Sequence, residues 1–182
     1  MKVNVILAAT FIVLLNSCDN CSNNPDNRSY EESFNSSPST TISAEDEPYL
    51  DNSLSTGTIP YECEDWDGDD SEITVRTSEA SNCDVVVMLK NDETLIKNVY
   101  IVAGDSYTFH IPNGKYQVFF YGGRGWNPEK IMPNGAKGGF VCNESYSKDE
   151  AVFIQNEILE YDLIPQKNGN FRTIQSNANE LF

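Results

Sequence analysis

From residue 73 onward the chain is a succession of short β-branched and aromatic runs. They are broken every few residues by Gly, Asn, Asp or Pro, and nowhere does an apolar 3.6-residue period persist long enough for a core helix. The pattern predicts strands near 73–77, 84–90, 95–103, 106–111, 115–121, 137–141, 151–154 and 158–164. Strands of this length must bury one face against a second layer, which makes the expected fold class all-β.

Two turn signals shape the expectation further. Gly104-Asp105 suits a two-residue type II′ hairpin and Asn113-Gly114 a type I′ hairpin. If both close hairpins, three consecutive strands share one register, with Tyr100 opposite Phe109, Phe109 opposite Val118, and Tyr107 opposite Val102 and Phe120. Tyr100, Val102, Tyr107, Phe109, Ile111, Tyr116, Val118 and Phe120 then line one wholly apolar face. Val85, Val87 and Leu89, with Leu159, Tyr161 and Leu163, are the expected second layer. Two antiparallel sheets around one core predict an immunoglobulin-like or prealbumin-like sandwich, with a jelly roll or small β-barrel as the alternative. The opposite face carries Val99, Ile101, Thr108, His110, Gln117, Phe119 and Tyr121. It holds no Asp, Glu, Lys or Arg, so it reads either as a binding surface or as a face covered by a returning loop.

Charge divides the chain in two. The net charge of −16 is not spread evenly: residues 18–72 contribute −14, with Arg28 their single base, whereas residues 73–182 contribute only −3. No stretch clusters Lys and Arg, which excludes a nucleic-acid footprint. Residues 19–59 hold nine Ser, six Asn and four Thr, but only five of these 41 residues are Ile, Leu, Val or Phe. So little apolar surface cannot offset the entropy of ordering, and the segment 18–59 is expected to be a disordered acidic tether. The boundaries expected on this basis are a leader over 1–17, the tether over 18–59, the sandwich over 60–165 and a polar tail over 166–182.

The leader has a recognisable form. Lys2 supplies a positive start and Val5 to Leu15 an eleven-residue apolar run, too short to span a bilayer, which takes about 20 residues. Leu15-Asn16-Ser17-Cys18 resembles a bacterial lipobox, with Asn16 a departure from its commonest form. The resemblance implies cleavage before Cys18 and lipid attachment to its thiol. The membrane, reached through several acyl chains on Cys18, is then the first partner, and the cell envelope, at the outer membrane, the location.

Residues Gly122 to Gly139 hold six of the eleven glycines and two of the eight prolines, and read as a long functional loop. Phe119, Tyr121, Arg124 and Trp126 are its candidate ligand-binding residues, the rings as stacking platforms and the guanidinium as a fixed fork of donors. The alternative is that Trp126 plugs one end of the sandwich. Candidate chemistry is otherwise thin. His110 is the single histidine, and a Cys142–His110 dyad is the one nucleophile–base pairing the composition allows. Asp65, Asp67 and Asp69 have the 1, 3, 5 spacing of a calcium loop, but Asp70 stands where that loop needs Gly and Arg76 where its closing Glu belongs. The reading therefore assigns no metal, cofactor or catalytic residue. Beyond Cys18, the cysteines Cys21, Cys63, Cys83 and Cys142 allow three complete pairings, of which a single Cys63–Cys83 disulfide is favoured for its short loop.

The string AGDSYTFHIPNGKYQVFFYGGRGWNP (103–128), together with GGFVCNE (138–144) and QKNGNFRTIQSNANELF (166–182), resembles a family of exported, lipid-anchored proteins from Bacteroidales. The resemblance spans about residues 57–182 and implies no established activity, so it transfers no functional residue. The spacing of Gly104, Pro112, Gly114 and Tyr116 is similar to hairpins of carboxypeptidase-regulatory-like and prealbumin-like sandwiches, which bears on fold alone. The functional expectation is a non-catalytic envelope module that binds a glycan or a protein. The alternative is an assembly subunit docking through the mixed sheet face, with an enzyme a distant third.

Overall fold

The computed structural model describes residues 42–164 and 174–182 in full, and residues 8–15 and 165 as backbone. Cys18, Cys21 and the tether up to residue 41 lie outside the described residues. The strands are β1 (Ala8–Leu15), β2 (Ser71–Thr77), β3 (Asp84–Asn91), β4 (Thr94–Ile101), β5 (Ser106–Ile111), β6 (Gly114–Ile131), β7 (Lys137–Lys148), β8 (Val152–Ile154), β9 (Ile158–Pro165) and β10 (Ile174–Gln175), followed by a short helix α1 (Ala178–Leu181).

They form two packed sheets, as expected of an all-β sandwich, but the smaller is mixed rather than antiparallel as expected, because β9 runs parallel to both β1 and β2. The smaller has the order β1-β9-β2-β5 and the larger β10-β7-β6-β3-β4, with β8 against the start of β6. Alternation explains the smaller sheet: Ile73 and Val75 of β2 and Leu159, Tyr161 and Leu163 of β9 turn inward, while Thr74, Arg76, Glu160 and Asp162 face out. The larger sheet contributes Val85, Val87, Leu89, Val118 and Phe120 to the same core. Its β3 is apolar on both faces, because Val86 and Met88 enter a second cluster on the far side of the sheet.

The hairpins expected at Gly104-Asp105 and Asn113-Gly114 are instead corners between sheets. The first turn does form, with Gly104 at φ +86° and the Asp105 N–H donating to the Val102 carbonyl at 3.0 Å. It delivers the chain from β4 in the larger sheet to β5 in the smaller, where β5 pairs with β2. The second corner returns the chain to the larger sheet, braced by the Tyr116 hydroxyl, which donates to the Pro112 carbonyl at 2.8 Å as in a tyrosine corner. The expected β4–β5–β6 register therefore does not exist. On β4 it is Val99 and Ile101 that face the inter-sheet core, while Tyr100 and Val102 belong to the outer cluster. The mixed face is likewise dispersed: Thr108 and His110 lie on the outer side of the smaller sheet, and Phe119 and Tyr121 on that of the larger.

The glycine-rich stretch is no loop. β6 runs through it to Ile131, and β7 returns alongside after a tight turn in which Met132 and Ala136 are hydrogen bonded. The glycines make room for rings on the neighbouring strand: a Cβ on Gly123 would lie 2.4 Å from Phe140 Cβ, and one on Gly138, at φ +105°, 2.6 Å from Trp126 Cζ2.

Candidate functional site

The outer face of the larger sheet carries Val86, Met88, Tyr100, Phe119, Tyr121, Trp126 and Phe140, an apolar surface too large to leave in water. Two chain segments cover it. Residues 57–65 run along the free edge of β4 and satisfy its main chain: Gly57 N–H donates to the Tyr100 carbonyl, Tyr100 N–H to Thr58, and Glu64 N–H to Leu95. Buried Asn98 extends this ladder with its side chain, accepting from the Tyr61 N–H at 3.0 Å and donating to the Tyr61 carbonyl at 2.8 Å. Further upstream, Asn52 exchanges a pair of hydrogen bonds with the Trp126 main chain, at 2.8 and 2.9 Å, and Asn127 donates to Asp46. Residues 42–59 are thus part of the domain and not of a disordered tether, because hydrogen bonds from their polar side chains and main chain supply what their few apolar side chains cannot.

The C-terminal segment covers the rest. β10 pairs with the end of β7, Lys148 bridges Glu180 at 2.6 Å, Leu181 is buried, and the Phe182 ring meets Tyr61 and Tyr121 edge-on at 5.0 and 5.8 Å. Residues 174–182 are accordingly docked and not a free polar tail.

This placement settles the residues singled out in the sequence. Phe119, Tyr121 and Trp126 are only 4%, 0% and 3% exposed, so their rings are packing, not platforms. Trp126 stands edge-on to Tyr100 and Phe140 at 5.4 and 5.2 Å. Tyr121 stacks on Tyr146 at 5.0 Å, its hydroxyl donating to Glu144 and accepting from the Phe140 N–H. Burial, reinforced by the Glu144 carboxylate, holds the Tyr121 phenol far above its ordinary pKa, and Lys130 neutralises Glu144 from 2.7 Å. Arg124 is separate from the rings. It reaches Asp51 at 3.2 Å beside a different cavity, of about 300 Å³, shared with Ser53 and Asp84.

The remaining candidates do not converge either. His110 Nδ1 lies 3.6 Å from Glu72 and 3.9 Å from Asp69 on the smaller sheet. Cys142 is on the larger sheet and held in a disulfide, so no Cys142–His110 dyad forms. Asp65 is taken by Lys97 at 2.5 Å while Asp69 faces His110, and among the described residues no three acidic, His or Cys side chains come together as a metal site. The Cys63–Cys83 pairing is also overturned: Cys63 is a free thiol and Cys83 is disulfide-bonded. Cys63 sits near Leu95, whereas Cys83 precedes Val85, the partner of Ile101. Most of the length of β4, about 20 Å at 3.3 Å per residue, separates them, and a disulfide needs Cα atoms within about 7 Å.

What sequence reasoning missed is the space between the two covering segments. A groove of about 660 Å³ opens there, walled by Tyr61, Leu95, Ala136, Leu181 and Phe182 over Met88, with Glu62, Glu93 and Lys137 at the rim. Lys90 is buried at its floor, donating to the Glu180 carbonyl at 2.9 Å with its ammonium 5.3 Å from the Phe119 ring centre; desolvation lowers its pKa. The one sequence signal for this groove was the apolar pair Leu181-Phe182 closing a polar segment.

Comparison with protein-family models, curated proteins and solved structures gives no match. Among the described residues no helix is long and apolar enough to cross a membrane.

Proposed function

We propose that this chain is a lipid-anchored, non-catalytic binding module of the bacterial cell envelope, which holds a protein ligand in the groove walled by Tyr61, Leu95, Ala136 and Phe182. The observation that carries the reading is the chemistry of that groove. It has apolar walls in Tyr61, Leu95, Leu181 and Phe182 over Met88, with Lys90 capped by the Glu180 carbonyl below and a rim bearing both signs of charge, the anatomy of a protein-binding patch. A glycan platform needs an exposed ring face, and the rings proposed for one are inside the fold. The lipobox at Leu15–Cys18 supports the anchor, and an acidic stretch between Cys18 and residue 42 suits a spacer.

Two measurements test this. Metabolic labelling with palmitate should mark the wild type and not Cys18→Ala; equal label in both would remove the anchor from the reading. On a matrix-protein and glycan array, Leu95→Lys should abolish a protein signal while unfolding at an unchanged denaturant midpoint. Retained binding by that variant, or a signal confined to glycans, would overturn the groove assignment. The alternative of an assembly subunit docking through the mixed sheet face loses that face, whose residues are divided between the two sheets.

A further inference from the structure

In the uncleaved chain the apolar run of the leader is not idle. As β1 it lies parallel to β9 in unbroken register over eight residue pairs, from Ala8 opposite Ile158 to Leu15 opposite Pro165. On its other side β9 pairs with β2, also in parallel and without a bulge. Leu159, Tyr161 and Leu163 anchor β9 in the core. Cleavage before Cys18 removes β1 and leaves alternate main-chain N–H and C=O groups of β9 without partners.

The newly opened edge keeps little of the usual protection. Edge strands are blunted by charged side chains, above all lysine, by bulges or by proline. β9 has no Lys or Arg, its one proline is terminal, and its two carboxylates are occupied by Arg76 of β2, at 2.6 Å from Glu160 and 3.6 Å from Asp162. Ile158 and Ile164 flank them on the outer face.

The rest of the chain cannot refill this edge with like chemistry. Residues 18–41 contain one residue among Ile, Leu, Val and Phe, namely Phe34, and 166–173 contain only Phe171. A second copy could offer β5, the other end strand of this sheet, only in a head-to-tail contact that polymerises without closing, or its own β9, antiparallel across a two-fold axis. Registers centred on Glu160, Tyr161 or Asp162 then place Glu160 opposite Glu160, Glu160 opposite Asp162, or Asp162 opposite Asp162, and like charges directly opposite are destabilising.

We infer that, once the leader is removed, the β9 edge takes up an extended, uncharged, apolar segment of another envelope protein as a strand parallel to β9. This rests on the cleaved-lipoprotein reading above and makes the module a strand acceptor, with affinity from main-chain pairing and specificity from the alternate side chains.

The test uses the mature chain purified from the producing cells, carrying Asp162→Cys and Cys63→Ser. The probe is a synthetic peptide of residues 7–16 with lysine tails and Ile12→Cys, since Ile12 is the register partner of Asp162. The expected result is a disulfide between peptide and protein that forms efficiently with this probe and poorly with a Thr10→Cys probe. The uncleaved Cys18→Ala chain, whose edge is filled, should not react. In the unsubstituted mature chain the cysteine-free peptide should slow amide exchange over Ile158–Ile164 by about ten-fold or more, the mark of newly formed ladder bonds. Cross-linking without register preference, an Asp162→Cys homodimer without peptide, or unchanged exchange would overturn the inference while leaving the lipoprotein reading intact. Purified chain that retains residues 1–17 by mass would overturn both.

Discussion

Replacing Trp126 by alanine separates packing from binding more sharply than any other single change. The indole is 3% exposed and contacts Tyr61, Tyr100 and Phe140, with Gly138 closing over its six-membered ring. Truncating an aromatic side chain in such a site costs about 3–5 kcal/mol, from lost transfer free energy and the cavity left behind. Two edge-on ring pairs, each worth about 0.5–1.5 kcal/mol, place the expectation toward the upper end. Neither the Asn52 bonds to the Trp126 main chain nor the β6–β7 ladder is touched, so the sheet should persist and the loss should be local. Against a total stability of about 5–15 kcal/mol, this is a large fraction. At about 2–4 °C per kcal/mol for a chain of this size, it lowers Tm by roughly 6–20 °C. Equilibrium denaturation in urea, followed by far-ultraviolet circular dichroism and by Trp66 emission, measures it directly. A loss under about 1 kcal/mol would refute the reasoning, because a ring that can be removed so cheaply is not part of a core.

Three further outcomes follow from the same contacts. A chain shortened to begin at Thr56 loses the Asn52–Trp126, Asp51–Arg124 and Asp46–Asn127 contacts and should melt clearly below the chain that retains residues 42–55; coincident melts would show that these residues only rest on the fold. Gly138→Ala, forced against Trp126 at positive φ, should cost about 1–3 kcal/mol in chemical denaturation, as overpacking does. The Glu180 carboxyl, hydrogen bonded by Lys148 and Ser176, titrates below the ordinary glutamate value of 4.5. Its contribution to holding the C-terminal segment is fully present above that value and is lost as pH falls through the lower folded one. Protection factors of the β10 and α1 amides should therefore fall as the pH drops below 4.5 in the wild type, with Glu180→Gln showing no such step.

How much of this was legible in the sequence depends on which physical signal each element carries. The strands were, because alternation in Ile73-Thr74-Val75 or Leu159-Glu160-Tyr161 has one simple reading, and the residues expected from β3 and β9 do enter the core. The sheet each strand joins was not, because Gly104 and Asn113-Gly114 specify a reversal of direction and say nothing about the partner of the next strand. The continuation of β6 was hidden by Gly122, Gly123, Gly125 and Pro128, which read as breakers. For Gly123 and Gly125 the cause is steric, and it appears only when Phe140 and Val141 are placed opposite. The burial of Trp126 and Tyr121, and with it the failure of the expected ligand site, follows from a cover that is almost entirely polar. Residues 42–59 dock through hydrogen bonds of their polar side chains and main chain, whose partners composition does not register.

The cover has a consequence for how the protein folds. Tyr61 and Phe182, whose rings touch, flank nearly the whole sandwich in sequence, so their contact closes a loop that spans most of the domain. Both segments land on the outer face of the β6–β7 hairpin, and topologies dominated by distant contacts fold slowly. Until both segments are in place, Phe119, Tyr121 and Trp126 lie open to solvent, the most apolar outer surface of the larger sheet. A chain with its cover open is therefore the one in which a chaperone has most to hold and misassembly has most to gain.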